Sequence, residues 1–219
     1  MSKFDVQTHR GSAPFDLRYL AAVPKGADED QKFPLLLFLH GAGERGDDLS
    51  VLTKHGPPAM IAQGDSFEMI VVAPQCPAKS WWNPKQLVSL IDGLVAKYPV
   101  DTDRIYVTGL SMGGYATWGL LAEIPDRIAA AVPICGGGDP EQADRMTGVP
   151  IWAFHGDADN VVPVSQTERM IDAIRQASGQ PKVTIYPGVK HDSWTETYEN
   201  PDVFEWMRKQ RLSNRNKTE

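Results

Sequence analysis

Along this chain, short and nearly continuous apolar runs alternate with stretches whose apolar residues recur every three or four positions. The runs at 33–39, 69–73, 104–107, 130–134, 151–154 and 183–186 predict strands buried on both faces, where no polar alternation is needed. The stretches 84–97, 113–123, 165–177 and 203–211 predict helices. In the first of these, Leu87, Leu90, Ile91, Leu94 and Val95 form one apolar stripe. Pro84 stands at its first turn and Pro99 just past its end, both favoured proline positions at helix boundaries. Residues 4–8 and 15–22, joined by Gly11-Ser12-Ala13-Pro14, predict an antiparallel hairpin at a sheet edge, and the polar stretch 26–31 a surface loop. Strand–helix alternation predicts an α/β fold with a mostly parallel central sheet and helices on both faces. Functional loops are then expected at the strand C-termini. The 219 residues fit a single domain over 1–219. Intervals between elements are short, leaving little or no room for a lid.

Composition narrows the function classes. With 42% hydrophobic and 23% charged residues, the chain has the make-up of a folded protein rather than a disordered one. A net charge of −6, with no basic block beyond Arg208-Lys209-Gln210-Arg211, argues against a nucleic-acid partner. Cys76 and Cys135 are too few for a disulfide framework and lack metal-ligand spacing. Each follows an apolar run, so both are expected as buried, inert thiols. No apolar stretch is long enough to span a membrane. The first residues, Met1-Ser2-Lys3-Phe4-Asp5-Val6, lack the apolar core of a secretory signal, which sets a cytoplasmic location as the expectation. Nothing in the pattern fixes the oligomeric state.

The candidate chemistry begins at Gly109-Leu110-Ser111-Met112-Gly113. It follows the run 104–107 and leads into the helix-like stretch 113–123. A strand, a Gly-x-Ser-x-Gly turn and a helix in that order form a nucleophile elbow, which lifts a serine hydroxyl above the sheet at a helix N-terminus. Three further segments accompany it: Leu39-His40-Gly41-Ala42-Gly43-Glu44-Arg45-Gly46-Asp47-Asp48, His155-Gly156-Asp157-Ala158-Asp159-Asn160-Val161-Val162-Pro163, and Lys190-His191-Asp192-Ser193-Trp194. With these four pieces in this order, the chain resembles α/β-hydrolases of the phospholipase/carboxylesterase and dienelactone-hydrolase-like esterase group. The resemblance implies a triad of Ser111 as nucleophile, Asp159 as acid and His191 as base.

Elementary chemistry bears on each assignment. A serine hydroxyl needs a histidine to accept its proton, and that histidine needs a carboxylate to fix its tautomer. Of His9, His40, His55, His155 and His191, the last lies in a loop beyond the final strand, where a ring can swing over the sheet edge. The bland alternative is a surface histidine beside Trp194. Asp157 and Asp159 share one loop. Asp157 follows the strand closely and is expected to cap the local turn, whereas Asp159 lies deeper and matches the family position. Asp139 is expected to cap a helix.

An oxyanion needs two fixed N–H donors. The Met112 backbone supplies one, and the resemblance implies Ala42 for the other. Arg45 either holds an anionic substrate group or stiffens its loop by pairing with Glu44, Asp47 or Asp48. Trp81 and Trp82 are expected at the substrate cleft, at least one of them lining it. Trp194, Tyr198, Phe204 and Trp206 are expected to pack the last helix.

The combined reading is a serine carboxylic-ester hydrolase that uses an acyl-enzyme. It takes small, short-chain or soluble ester substrates and requires no metal or organic cofactor. A serine peptidase or amidase and an acyl-protein thioesterase would use the same triad. A non-catalytic binding protein on this fold would be expected to lack one of its members.

Overall fold

The computed structural model describes residues 4–9, 17–24 and 31–215. The expected hairpin connection at 11–14 and residues 26–30 of the expected surface loop lie outside them. The described strands are β1 Asp5–His9, β2 Leu17–Ala22, β3 Phe33–Leu39, β4 Ile70–Pro74, β5 Val100–Leu110, β6 Ala130–Ile134, β7 Trp152–Gly156 and β8 Lys182–Tyr186. The helices are α1 Gly56–Gln63, α2 Pro84–Lys97, α3 Met112–Glu123, α4 Ser165–Gln176, α5 Trp194–Glu199, α6 Pro201–Arg208 and α7 Leu212–Arg215. The strands lie in the order β1-β2-β4-β3-β5-β6-β7-β8. From β4 to β8 all neighbours are parallel, and the antiparallel β1–β2 hairpin adds to β4 at one edge. This is the mostly parallel α/β sheet that the sequence pattern predicts, in the α/β-hydrolase fold that the resemblance implies.

Both faces of the sheet are covered, and β3 shows why its sequence is so continuously apolar. Leu35, Leu37 and Leu39 face a core built with α2, α3 and α4, while Leu36 and Phe38 face a second core with α1, α5 and α6. Leu87, Leu90, Ile91 and Leu94 of α2 are at most 1% exposed, each worth about 1.5–3 kcal/mol of burial. Asn83 caps α2 by accepting the Lys85 N–H at 3.0 Å.

Two elements differ from the expectation. β5 begins four residues earlier than the apolar run, because Asp101 and Asp103 are taken up by Arg104, Arg211 and Ser213 at the strand's polar end. Helix α1 is unannounced by periodicity, since Gly56-Pro57-Pro58 reads as a turn. Prolines in a first helical turn, however, lack only N–H groups that would have no intrahelical partner there.

The junction of β5 with α3 positions the candidate nucleophile. A Cβ on Gly113 would lie 1.9 Å from the Leu39 carbonyl oxygen, and one on Gly109 would lie 2.4 Å from the Gly113 oxygen. Only hydrogens fit where these backbones cross. Between them Ser111 takes φ 53°, ψ −115°, a backbone region that L-residues seldom occupy. Its N–H is tied to the Ile134 carbonyl at 2.9 Å and its carbonyl accepts the Tyr115 N–H at 3.1 Å, so both neighbouring elements hold the turn. Gly113→Ala must push α3 off β3 and is expected to cost about 3 kcal/mol or more of stability in a urea titration, because the obstacle is backbone rather than a movable side chain.

Candidate active site

Three loops at the C-terminal ends of β5, β7 and β8 converge. His191 Nε2 lies 3.0 Å from Ser111 Oγ, and His191 Nδ1 lies 2.7 Å from Asp159 Oδ2. Facing a carboxylate, Nδ1 carries the ring proton, and Nε2 is left to accept from the serine hydroxyl. The other carboxylate oxygen of Asp159, Oδ1, accepts the N–H groups of Val161 at 2.8 Å and Val162 at 2.9 Å. Burial works to raise the Asp159 pKa, but the bonds from His191, Val162 and Val161 outweigh it and the net shift is downward. The carboxylate therefore stays charged at neutral pH with its side chain fully buried.

The acid and base loops are held to one another by backbone. Asp157 N–H donates to the Tyr186 carbonyl at 3.1 Å and Ala158 N–H to the Val189 carbonyl at 3.0 Å. A Cβ on Gly156 would lie 2.1 Å from the Val189 oxygen, so the crossing requires glycine. Asp157 departs from its expected role. Its carboxylate accepts the Gly188 N–H at 2.6 Å, so it caps the base loop across the site rather than its own turn. Asp139 does cap locally, accepting the Glu141 N–H at 3.1 Å.

His155, at the end of β7, is fully buried beside Asp159. Its Nε2 lies 2.9 Å from the Val162 carbonyl and 3.2 Å from Asp159 Oδ2, and its Nδ1 lies 2.8 Å from Thr167 Oγ1. The sequence reading passes over this histidine. A signal was present in its spacing, four residues before Asp159, but only the loop's curl turns the ring inward.

Met112 and Ala42 are the two residues expected to supply oxyanion donors. Met112 is the first residue of α3, so its N–H has no intrahelical acceptor. Ala42 is exposed and opens a short 3-10 turn, Ala42–Glu44. Beneath that turn His40 is buried, with Nδ1–H donating to the Gly41 carbonyl at 2.6 Å and Nε2 accepting the Cys76 N–H at 2.9 Å. Burial, opposed by the Gly41 bond and aided by Arg45, lowers the His40 pKa to about 4. The ring is neutral at pH 7 and acts as a fixed strut.

Arg45 donates to the Ala42 carbonyl at 2.9 Å and to the Ser80 carbonyl at 3.2 Å. It stiffens the loop as one expectation held, but through carbonyls. No Arg45 ion pair with Glu44, Asp47 or Asp48 occurs among the described residues. Trp82 is only 9% exposed and donates its indole N–H to the His40 carbonyl at 3.1 Å. It supports the loop from below and offers little surface to a substrate, which corrects its expected place at the cleft. Trp81 is 65% exposed and stands edge-on to Tyr115.

Tyr198 and Phe204 pack the last helices, with ring centroids 6.3 Å apart. Trp194 and Trp206 pack against the same core, and the Trp194 indole also stands edge-on to both His191 and His55. It also walls a cavity of about 860 Å³ between α1 and α5–α6, with His55, Met60, Phe67 and Phe204. Neither Ser111 nor His191 lines that cavity.

Cys135, Asp159 and His191 form a grouping of metal-type donors whose ligand atoms lie within 4.8 Å of one another. Burial pushes the Cys135 thiol up to about 12, although the Ser111 N–H and the Ser193 hydroxyl favour its thiolate. At neutral pH it is a protonated, inert thiol beneath the acid–base pair.

The chain is similar to several known proteins. The sequence model of the dienelactone hydrolase family matches residues 84–210, more than half of the chain. A bifunctional acetylxylan esterase/xylanase of Neocallimastix patriciarum is 32% identical over 149 residues, 65% of this chain and 22% of that protein. A poly(3-hydroxyalkanoate) depolymerase C of Paucimonas lemoignei is 28% identical over 144 residues, 58% of this chain and 33% of that one. The chain thus spans a third or less of the length of these curated relatives. The crystal structure of a thermostable esterase is 35% identical with a TM-score of 0.85, over 95% of this chain and 63% of that chain. A ferulic acid esterase structure, 18% identical with a TM-score of 0.71, shares the fold. No described helix is long and apolar enough to cross a membrane.

The depressed pKa of His40 makes stability depend on pH. Between about 4 and the ordinary 6.5 the unfolded chain binds a proton at this position that the folded chain does not. Its contribution is therefore complete above 6.5 and is lost as the pH falls to about 4, by roughly 3 kcal/mol. Urea unfolding across that window is expected to show a clearly flatter pH dependence for His40→Gln than for the native chain.

Proposed function

Because the chain belongs to the dienelactone hydrolase family, we propose that it is a serine carboxylic-ester hydrolase working through an acyl-enzyme. The observation that carries this reading is the unbroken hydrogen-bond relay from Ser111 Oγ through His191 to Asp159. In the reaction, His191 Nε2 takes the hydroxyl proton as Ser111 Oγ attacks the ester carbonyl carbon. The imidazolium formed is stabilised by the Asp159 carboxylate. The N–H groups of Met112 and Ala42 receive the negative charge that develops on the carbonyl oxygen, the largest single source of rate in such sites. As the tetrahedral species collapses, His191 returns the proton to the leaving alcohol. Water activated by the same imidazole then attacks the acyl-serine and frees the acid and Ser111. No step calls for a metal or organic cofactor.

The surroundings of the serine support a substrate class. Ser111 and His191 both retain solvent exposure, and between β6 and β7 the described chain holds only the 3-10 turn Pro140–Met146 and its flanks, too little to form a lid. A serine left open in this way suits small, soluble or short-chain esters. Trp81 offers the exposed aromatic surface against which such a substrate would rest.

Ser111→Ala is expected to abolish both turnover and covalent labelling by a fluorophosphonate. Asp159→Asn should lower kcat by roughly 10⁴-fold with the melting curve little changed, since it spoils the tautomer rather than the core. Short-chain nitrophenyl esters should turn over faster than long-chain ones, and faster than matched anilides. A higher rate on the anilides would point to a peptidase or amidase instead.

A further inference from the structure

We infer that His155 is a positioning residue for the Asp159 carboxylate, acting on it directly and through the main chain of Val162; the inference rests on the serine-esterase reading above. Only acceptors face His155 Nε2: the Val162 carbonyl at 2.9 Å and Asp159 Oδ2 at 3.2 Å. An unprotonated Nε2 would point a lone pair at both, so this nitrogen carries the ring proton. On the other side, Thr167 Oγ1 has one proton to place between the Gly136 carbonyl at 2.8 Å and His155 Nδ1 at 2.8 Å. Either way the ring is tethered between α4 and the acid loop with neither side chain exposed to solvent.

The consequence for the acid is geometric. Residue Val162 is bonded through both of its main-chain groups: its N–H donates to Asp159 Oδ1 and its carbonyl accepts from His155. The ring thereby fixes the turn that cradles one carboxylate oxygen. His155 Nε2–H also presents its positive end to the other oxygen, Asp159 Oδ2 at 3.2 Å, the one that receives His191 Nδ1–H. His155 touches neither Ser111 nor the substrate's place. Its effect reaches the reaction only through the angle and charge of Asp159, and so through the tautomer and aim of His191.

Two substitutions separate this role from simple packing. A glutamine amide nitrogen reaches about as far as Nε2, so His155→Gln keeps a donor for Val162 and Asp159. An asparagine amide reaches only about as far as Nδ1, so His155→Asn keeps the Thr167 contact and removes the donor. His155→Asn is expected to lower kcat roughly 10- to 100-fold, the range for losing a charge-assisted hydrogen bond, with KM unchanged, while His155→Gln stays within a few-fold of the native rate. Equal losses in both variants, no loss in either, or a loss confined to His155→Gln would overturn the assignment.

Nitrogen-15 NMR of the unmodified protein tests it without risk to folding. His155 Nε2 is expected to be the protonated nitrogen at neutral pH, and an unprotonated Nε2 overturns the proposal. A Ser111→Ala variant that retained full turnover would instead remove the esterase reading itself, a result distinct from a native-like His155→Asn.

Discussion

A carboxylate shut away from water stays ionised only when donors surround it, and Asp159 is such a group. Leaving it unpaired would cost several kcal/mol, enough to unfold much of a marginally stable chain. The loops after β7 and β8 are shaped by that requirement. Val161 and Val162 turn their N–H groups onto one oxygen, and His191 approaches the other. The bonds that cross between the two loops, Asp157 to Gly188 and Ala158 to Val189, leave the imidazole little freedom to swing away. Holding the charge and aiming the base are thus one structural solution.

The serine side is organised by steric exclusion instead. Where α3 leaves β5, it passes so near the Leu39 carbonyl that no Cβ fits at Gly113. That approach forces the reversal at Ser111 into left-handed φ and projects the hydroxyl outward. The same close passage brings the end of β3 and the His40 carbonyl alongside the start of α3. His40, Trp82 and Arg45 hold the loop after β3 in place, each with a hydrogen bond to a main-chain group. None of them needs to touch a substrate to matter.

How much of this was legible differs from element to element. The strands β3, β4, β6, β7 and β8 and the helices α2, α3 and α4 follow from apolar runs and spacing, because burial on both faces or on one stripe leaves a mark in the residues themselves. Helix α1 left no such mark, since its Gly56-Pro57-Pro58 start has a turn's composition and its burial comes from packing beneath α5. The elbow was legible from two glycines and a serine because a steric limit dictates residue type. The place of Trp82 was not. Whether an indole faces a cleft or props a loop depends on which carbonyl lies within reach, here that of His40.

The sequence by itself determined the layered α/β fold, the strained serine turn and the choice of residues able to do acid–base work, because local sterics and hydrophobic period act on neighbours along the chain. Tertiary structure alone decided the rest. Ser111, Asp159 and His191 are tens of residues apart, and the distances between them exist only once parallel strands stack their C-terminal ends on one edge. Likewise, the roles of Asp157, Arg45 and His155 are set by which backbone group comes to face them. A hydrogen-bond partner brought from a distant part of the chain has no period or composition by which to announce itself.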